Sequence, residues 1–391
     1  MIVALKSWID RNLKGDPIIW GIVILLSIIS ILVVYSATGS LAYKFKGGNT
    51  EKYLFDHSMM VFGGLLVMWV AHKVPYKWYG LVGRLLLVIS IPLLIFTYFF
   101  GTNLNEASRW INIPIINKAF QPSDIAKLGL IATLASILAK RQKSLEELKK
   151  SFLTIILVIG LICMLIGLAN MSTALLLFFT CFLLMFIGRV PGKYLIMCVL
   201  FGALFISVSA MVGQRGATFF SRIENYMSKD DTLQYQVEQS YIAISTGGIT
   251  GKGPGKSEQR NSLPHPYSDF IYAIIIEEYG LIGGGTVLFL YLALLYRGMR
   301  IVASSTKPFG GLLSAGLSFA LVLQAMVNMG VAVGIGPVTG LPLPLLSMGG
   351  TSLLFTGFSL GIILSVSRGD HEDSVDTVVE GNRSKKVFQT A

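Results

Sequence analysis

Apolar residues run in stretches about as long as a bilayer is thick, broken by short polar turns, over most of this chain. The runs predict membrane spans near 17–36, 58–74, 79–101, 120–139, 152–169, 171–188, 193–213, 268–296, 309–335 and 343–367. About ten helices of this kind make an all-α polytopic membrane protein, because a helix satisfies its own backbone inside lipid. Spans five and six nearly touch at LANMSTA, which predicts a tight turn. The seventh and eighth are separated by a long connection, 214–267, too polar to cross lipid. The organisation read from the pattern is a segment 1–16, a membrane domain 17–367 and a polar tail 368–391 expected to be disordered.

Composition agrees with the pattern. Apolar residues make up 53% of the 391-residue chain and charged residues 14%, against about 25% charged in a soluble domain. Cys163, Cys181 and Cys198 all lie in apolar spans, without metal-type spacing, and are expected to be packing residues. The first apolar run follows a basic start without a small-residue cleavage site and reads as a retained helix. Most of the 32 lysines and arginines fall on alternate connections, which sets both termini on the cytoplasmic side and the 214–267 connection outside. No internal repeat is evident, which weakens an inverted-repeat transporter.

The few ionisable residues near or within the apolar spans carry the chemical argument, since a charge in a bilayer is costly. LPHPYSDFIYAIIIEEYGLIG delivers Asp269 to the mouth of the eighth span and places Glu277 and Glu278 two turns further on. Asp269 is the expected reactive acid; the two glutamates read equally as structural pairs or as functional groups. FQPSDIAKLGLI puts Asp124 and Lys127 on one helical face. They form either an internal ion pair or a site in which Lys127 reaches Asp269 and keeps it ionised.

Three further segments read as interfacial or anion-meeting elements. In ASRWINIP, Trp110 suits a headgroup-level anchor, and Arg109 fits either a phosphate or a lipid headgroup. QSYIAISTGGI reads as an interfacial amphipathic segment ended by Gly247 and Gly248. GITGKGPGKS sets Lys252 and Lys256 among glycines, a solvated loop or an anion cradle, without Walker spacing. Lastly, NMGVAVGIGPVTGLPLPLLSMGGTSLL is too rich in glycine and proline for one helix and predicts irregular backbone around a cavity.

Together these segments, in this order, resemble the SEDS family of bacterial cell-wall polymerases (FtsW, RodA and SpoVE) over roughly residues 17–367. The NMGVAVG and SMGGTS wording is closer to its FtsW branch. The resemblance implies a peptidoglycan glycosyltransferase that polymerises lipid II and works with a class B penicillin-binding transpeptidase. The implied setting is the bacterial inner membrane, at the division septum among other division proteins, with membrane lipids but no nucleic acid as partners. It places the family's essential loop aspartate on Asp269, its span-four acid and lysine on Asp124 and Lys127, and its arginine before tryptophan on Arg109. Many relatives carry an acidic turn between spans five and six, where this chain has Asn170 and Ser172 in LANMST. The implied reaction is inverting glycosyl transfer with Asp269 as general base. Arg109, Arg222, Lys252 and Lys256 are the cations expected to meet the undecaprenyl pyrophosphate leaving group, with a divalent cation such as Mg2+ or Mn2+ as a further neutralising charge. A lipid II flippase and a non-catalytic scaffold are the alternatives outside this chemistry, and a RodA-like role in elongation is the alternative within it.

Overall fold

The computed structural model describes residues 12–39, 50–104, 107–113, 118–141, 145–213, 216–228 and 231–369. The expected disordered tail therefore lies outside the described residues beyond Gly369. Helix α1 (Pro17–Ala37) opens on Asp16, whose Oδ1 accepts from the Ile18 amide at 2.9 Å, with Pro17 at the first helical position. Then come α2 (Thr50–Lys73), α3 (Tyr79–Phe100), α4 (Pro122–Arg141), α5 (Leu145–Ala169), α6 (Met171–Ile187) and α7 (Gly192–Val212). The long connection folds as α8 (Gly216–Ser228) and α9 (Asp231–Gly247), and the bundle closes with α10 (Ile271–Ser304), α11 (Pro308–Ala332) and α12 (Ser352–Gly369).

Among the described residues nine helices are long and apolar enough to cross a membrane, and the shorter α6 makes the tenth of the expected set. The chain is a multi-pass membrane protein. Its outer faces carry large apolar residues such as Phe62, Val88 and Phe289, each more than 60% exposed, as lipid contact requires. Small residues allow close approach: a side-chain carbon on Gly129 would stand 2.6 Å from the Leu87 amide nitrogen, so α3 and α4 pack nearly backbone to backbone. At one end of the bundle Asp16 accepts from Arg297 Nε at 2.7 Å, joining the start of α1 to the last turns of α10.

Three departures from the expected pattern matter for the site. Between α3 and α4 lies a small antiparallel sheet, β1 (Thr102–Leu104), β2 (Ala107–Ile113) and β3 (Lys118–Phe120), in the order β1-β2-β3. The last span begins at Ser352 rather than near 343, because Gly340 to Gly350 runs as irregular backbone, with Gly340 and Leu345 in the left-handed region.

The third departure is that the predicted span 268–296 is not one rod. Gly280 has φ 68 and ψ −171 inside α10. Tyr272 and Gly284 would stand about 18 Å apart along a straight helix. Instead the Tyr272 hydroxyl donates to the Gly284 carbonyl at 3.1 Å. The helix therefore doubles back at Gly280. Ile271–Tyr279 forms a short buried arm that runs from Asp269 to the tip, and Leu281–Ser304 returns past it through the bundle.

Candidate active site

The tip of this hairpin is sealed by the glycine–lysine loop. The break leaves helical carbonyls and amides without partners, and the loop supplies them. Lys252 N and Gly253 N donate to the carbonyls of Glu277 and Glu278, both at 2.9 Å. In return Leu281 N and Ile282 N donate to the carbonyls of Gly248 and Ile249, at 2.9 and 3.3 Å. The approach leaves no room for side chains, since a carbon added at Gly251 would meet the Glu278 carbonyl oxygen at 2.2 Å.

Both tip glutamates are fully buried and serve this splice. Glu277 takes Lys252 Nζ at 2.9 Å, the Ser257 hydroxyl at 2.5 Å and the amide of Glu258 at 3.0 Å. Glu278 receives the hydroxyl of Ser36, from the end of α1, and the Ser257 amide at 3.4 Å. Arg260 adds a bond to the Ser36 carbonyl at 3.2 Å. Burial alone would lower the Lys252 pKa, but the carboxylates of Glu277 and Glu258 outweigh it and raise it. Lys252 is thus engaged by its own fold, whereas Lys256 lies exposed on the same loop.

The other end of the short arm carries Asp269. The loop from Leu263 dips into the bundle, and the half-buried Asp269 sits just ahead of the N-terminus of α10, where a helix dipole favours negative charge. Its Oδ1 accepts from the Ser268 hydroxyl at 3.0 Å. Facing it is Gly340, with φ +65; a side-chain carbon there would stand 3.7 Å from Asp269 Oδ2. The Tyr267 hydroxyl is pushed above its ordinary value of 10 by burial, with Tyr53 and the Asp269 carboxylate adding to the effect, so it stays a neutral phenol beside the acid.

Asp124 and Lys127 form an ion pair, Nζ to Oδ1 at 2.8 Å. Among the described residues no ion pair joins Lys127 to Asp269. The pair lines a narrow cleft between α4, α6, α11 and α12, with a cavity volume of about 50 Å³. Gln324 on α11 also lines that cavity and donates to the Pro342 carbonyl at 2.8 Å. Asn328, one turn further along α11, donates to the Asp269 carbonyl at 2.9 Å. The cavity and the acid are therefore neighbours along one helix face.

Arg222 on α8 donates to the Val338 carbonyl at 3.0 Å, two residues from Gly340. Arg109 falls on β2, and its side chain lies outside the described residues. Asn170 caps α6, its Oδ1 accepting from the Thr173 amide at 3.3 Å. Among the described residues no three His, Cys, Asp or Glu side chains gather to hold a metal ion.

Similarity to known proteins defines the class. The family model of the FtsW/RodA/SpoVE cell cycle proteins matches residues 16–372. Stage V sporulation protein E of Bacillus subtilis is 32% identical, covering 92% of this chain and 98% of its own length. A probable peptidoglycan glycosyltransferase FtsW of a Geobacter species is 32% identical, over 91% and 98%. The peptidoglycan glycosyltransferase MrdB of Escherichia coli is 30% identical, over 90% and 93%. Among solved structures, a chain of a peptidoglycan synthase complex described as coordinating polymerization and crosslinking superposes with a TM-score of 0.68 at 26% identity, covering 91% of this chain and 98% of that one. The Thermus thermophilus rod shape determining protein RodA gives 0.65 at 25%, over 92% and 98%. This chain belongs to the SEDS family.

Several residues that build the site were not singled out from the sequence: Gln324 and Ser36, and also Asn328 and Ser347, which open the NMGVAVG and SMGGTS segments. They are ordinary polar residues in apolar runs. The available signal was that a polar group buried in a membrane bundle needs a partner, but a sequence does not say which partner.

Proposed function

We propose that this protein is a peptidoglycan glycosyltransferase that polymerises lipid II into β(1→4) glycan strands at the outer face of the bacterial cytoplasmic membrane, with both termini inside. The observation that carries the reading is Asp269: a half-buried carboxylate brought into the bundle by a helix hairpin, with Gly340 beside its Oδ2 and a neutral tyrosine flanking it.

In the reaction, Asp269 takes the proton of the acceptor sugar's 4-hydroxyl as that oxygen attacks the anomeric carbon of the donor. The bond from that carbon to the diphosphate breaks, its electrons leave with undecaprenyl pyrophosphate, and the α-linked donor becomes a β link. The leaving group needs charge neutralisation more than a proton. Arg222, held beside Val338, Arg109 on β2 and the exposed Lys256 are the cations assigned to it. Lys252 acts indirectly, by holding the loop that presents Lys256. The Asp124–Lys127 cavity accommodates part of the lipid substrate. The likeness to a peptidoglycan synthase complex supports a class B penicillin-binding transpeptidase as partner, and the FtsW-like relatives support a septal role in division.

The test is glycan formation from lipid II by the purified protein with its partner transpeptidase. Wild type should give polymer and Asp269→Asn none, because the amide keeps the shape but is no effective base. Wild-type turnover in Asp269→Asn overturns the base assignment. Lipid II movement without polymer would make the protein a carrier, and neither activity would make it a scaffold.

A further inference from the structure

Three consecutive backbone carbonyls around the proposed base are each held by a different donor. The Tyr267 carbonyl accepts from Met348 N at 2.9 Å. The Ser268 carbonyl accepts from Ser347 Oγ at 2.6 Å. The Asp269 carbonyl accepts from Asn328 Nδ2 at 2.9 Å. None of these donors belongs to the 263–270 loop. Two lie on the irregular segment before α12, and one on α11.

The donors are themselves fixed. Asn328 is 1% exposed and spends both amide hydrogens, the second on the Leu341 carbonyl at 2.7 Å. Ser347 is 3% exposed; its oxygen donates to Ser268 and accepts from Leu343 N at 2.7 Å. Asn328 thus binds the loop with one hydrogen and the irregular segment with the other, and Ser347 does the same with its single hydroxyl. Gly340, which faces the Asp269 carboxylate, stands next to Leu341 in that segment.

Holding the carbonyls of Ser268 and Asp269 fixes the peptide planes on both sides of the Asp269 Cα. The carboxylate is then left only its own side-chain torsions, and the Ser268 hydroxyl on Oδ1 restricts those. A base confined in this way meets the acceptor hydroxyl without a search, and misplacement by about 1 Å can cost on the order of 10²-fold in rate. Loops are otherwise the least precise place to mount a reacting group.

We propose that Asn328 and Ser347 are positioning residues that orient Asp269 through its backbone, and that they act on turnover rather than on substrate binding. This rests on the reading of Asp269 as the base.

The experiment measures kcat and KM for lipid II polymerisation by the full chain with its partner transpeptidase. The variants are Asn328→Ala, Ser347→Ala, Ser347→Thr and Asp269→Asn. Thermal midpoints are followed in parallel. Lipid II binding is measured in Asp269→Asn with and without Asn328→Ala. Both alanine variants should lose about 10²-fold in kcat with unchanged KM. Ser347→Thr, which keeps the hydroxyl, should recover most of the rate, and lipid II binding should not change with Asn328→Ala. Wild-type kcat in both alanine variants overturns the proposal. So does a loss that appears in KM or lipid II binding, or Ser347→Thr no better than Ser347→Ala. Should Asn328→Ala fail to fold, the Ser347 pair decides alone. Turnover retained in Asp269→Asn removes the base reading itself; turnover lost there but kept in the alanine variants removes only the positioning role.

Discussion

Lys252 Nζ stands 2.9 Å from Glu277 Oε1, the loop lysine reaching a fully buried carboxylate near the tip of a helix hairpin. Its neighbours on Glu277 are a serine hydroxyl and a backbone amide, so the carboxylate is satisfied from several sides. Breaking a buried pair leaves a charge without compensation, at about 3–5 kcal/mol. Lys252→Ala, which strands the fully buried Glu277 carboxylate, should therefore lower stability by about that amount, and Glu277→Ala should cost less on this account, because the ammonium it leaves is partly exposed and still 3.3 Å from Glu258. Thermal unfolding of the purified protein checks the order. Because the pair is shielded, raising salt should change the gap little. A large salt effect would mean the loop is open to solvent.

The Asp124–Lys127 pair should behave as a unit. Lys127→Ala leaves the buried Asp124 without its counter-charge and should cost about 3–5 kcal/mol, with severe loss of activity. The double change Asp124→Asn with Lys127→Met should recover much of the stability, since no uncompensated charge is then left buried. If stability returns and polymerisation does not, the charges serve substrate. If both return, the pair only holds α4 in its packing. Melting curves beside a polymerisation assay separate the outcomes.

Asn170→Asp should be tolerated. Asn170 caps α6 with its side-chain oxygen, aspartate caps equally well, and a negative charge is favoured at a helix N-terminus. Asn170→Ala should cost about 1 kcal/mol. A rise in the lipid II concentration needed by Asn170→Asp, at unchanged stability, would instead place this turn against substrate phosphate.

Gly280→Ala should break the hairpin. The backbone there is open in practice only to glycine, and a side-chain carbon would stand 2.1 Å from the Ile249 carbonyl oxygen. The strain alone is worth about 1–3 kcal/mol, and the clash also pushes apart the splice that seals the tip. Loss of polymerisation with a lowered thermal midpoint is the expected result, whereas Gly285→Ala, with nothing within 4 Å, should be silent. Equal behaviour of the two would mean that α10 does not double back.

Much was legible before any coordinates. The apolar runs gave the multi-pass class and nearly every span, because a bilayer imposes one length on each crossing helix. The scarcity of charge singled out Asp124, Lys127, Asp269, Glu277 and Glu278, because each charge in such a bundle needs a reason. The glycine and proline content before Ser352 announced irregular backbone. Periodicity could not reveal the turn at Gly280. Both arms of the hairpin are apolar and helical, so together they read as one long span, and a single glycine inside a helix is ordinary in sequence. That turn decided the roles. It carried Glu277 and Glu278 to the tip, where Lys252 closes on them, and it left Asp269 inside the bundle. Partnership among buried polar groups was likewise a tertiary matter: Ser36 meets Glu278 across 242 positions of chain, and Ser347 meets Ser268 across 79. Composition states that a buried donor must find an acceptor; only the packing of distant segments chooses which one.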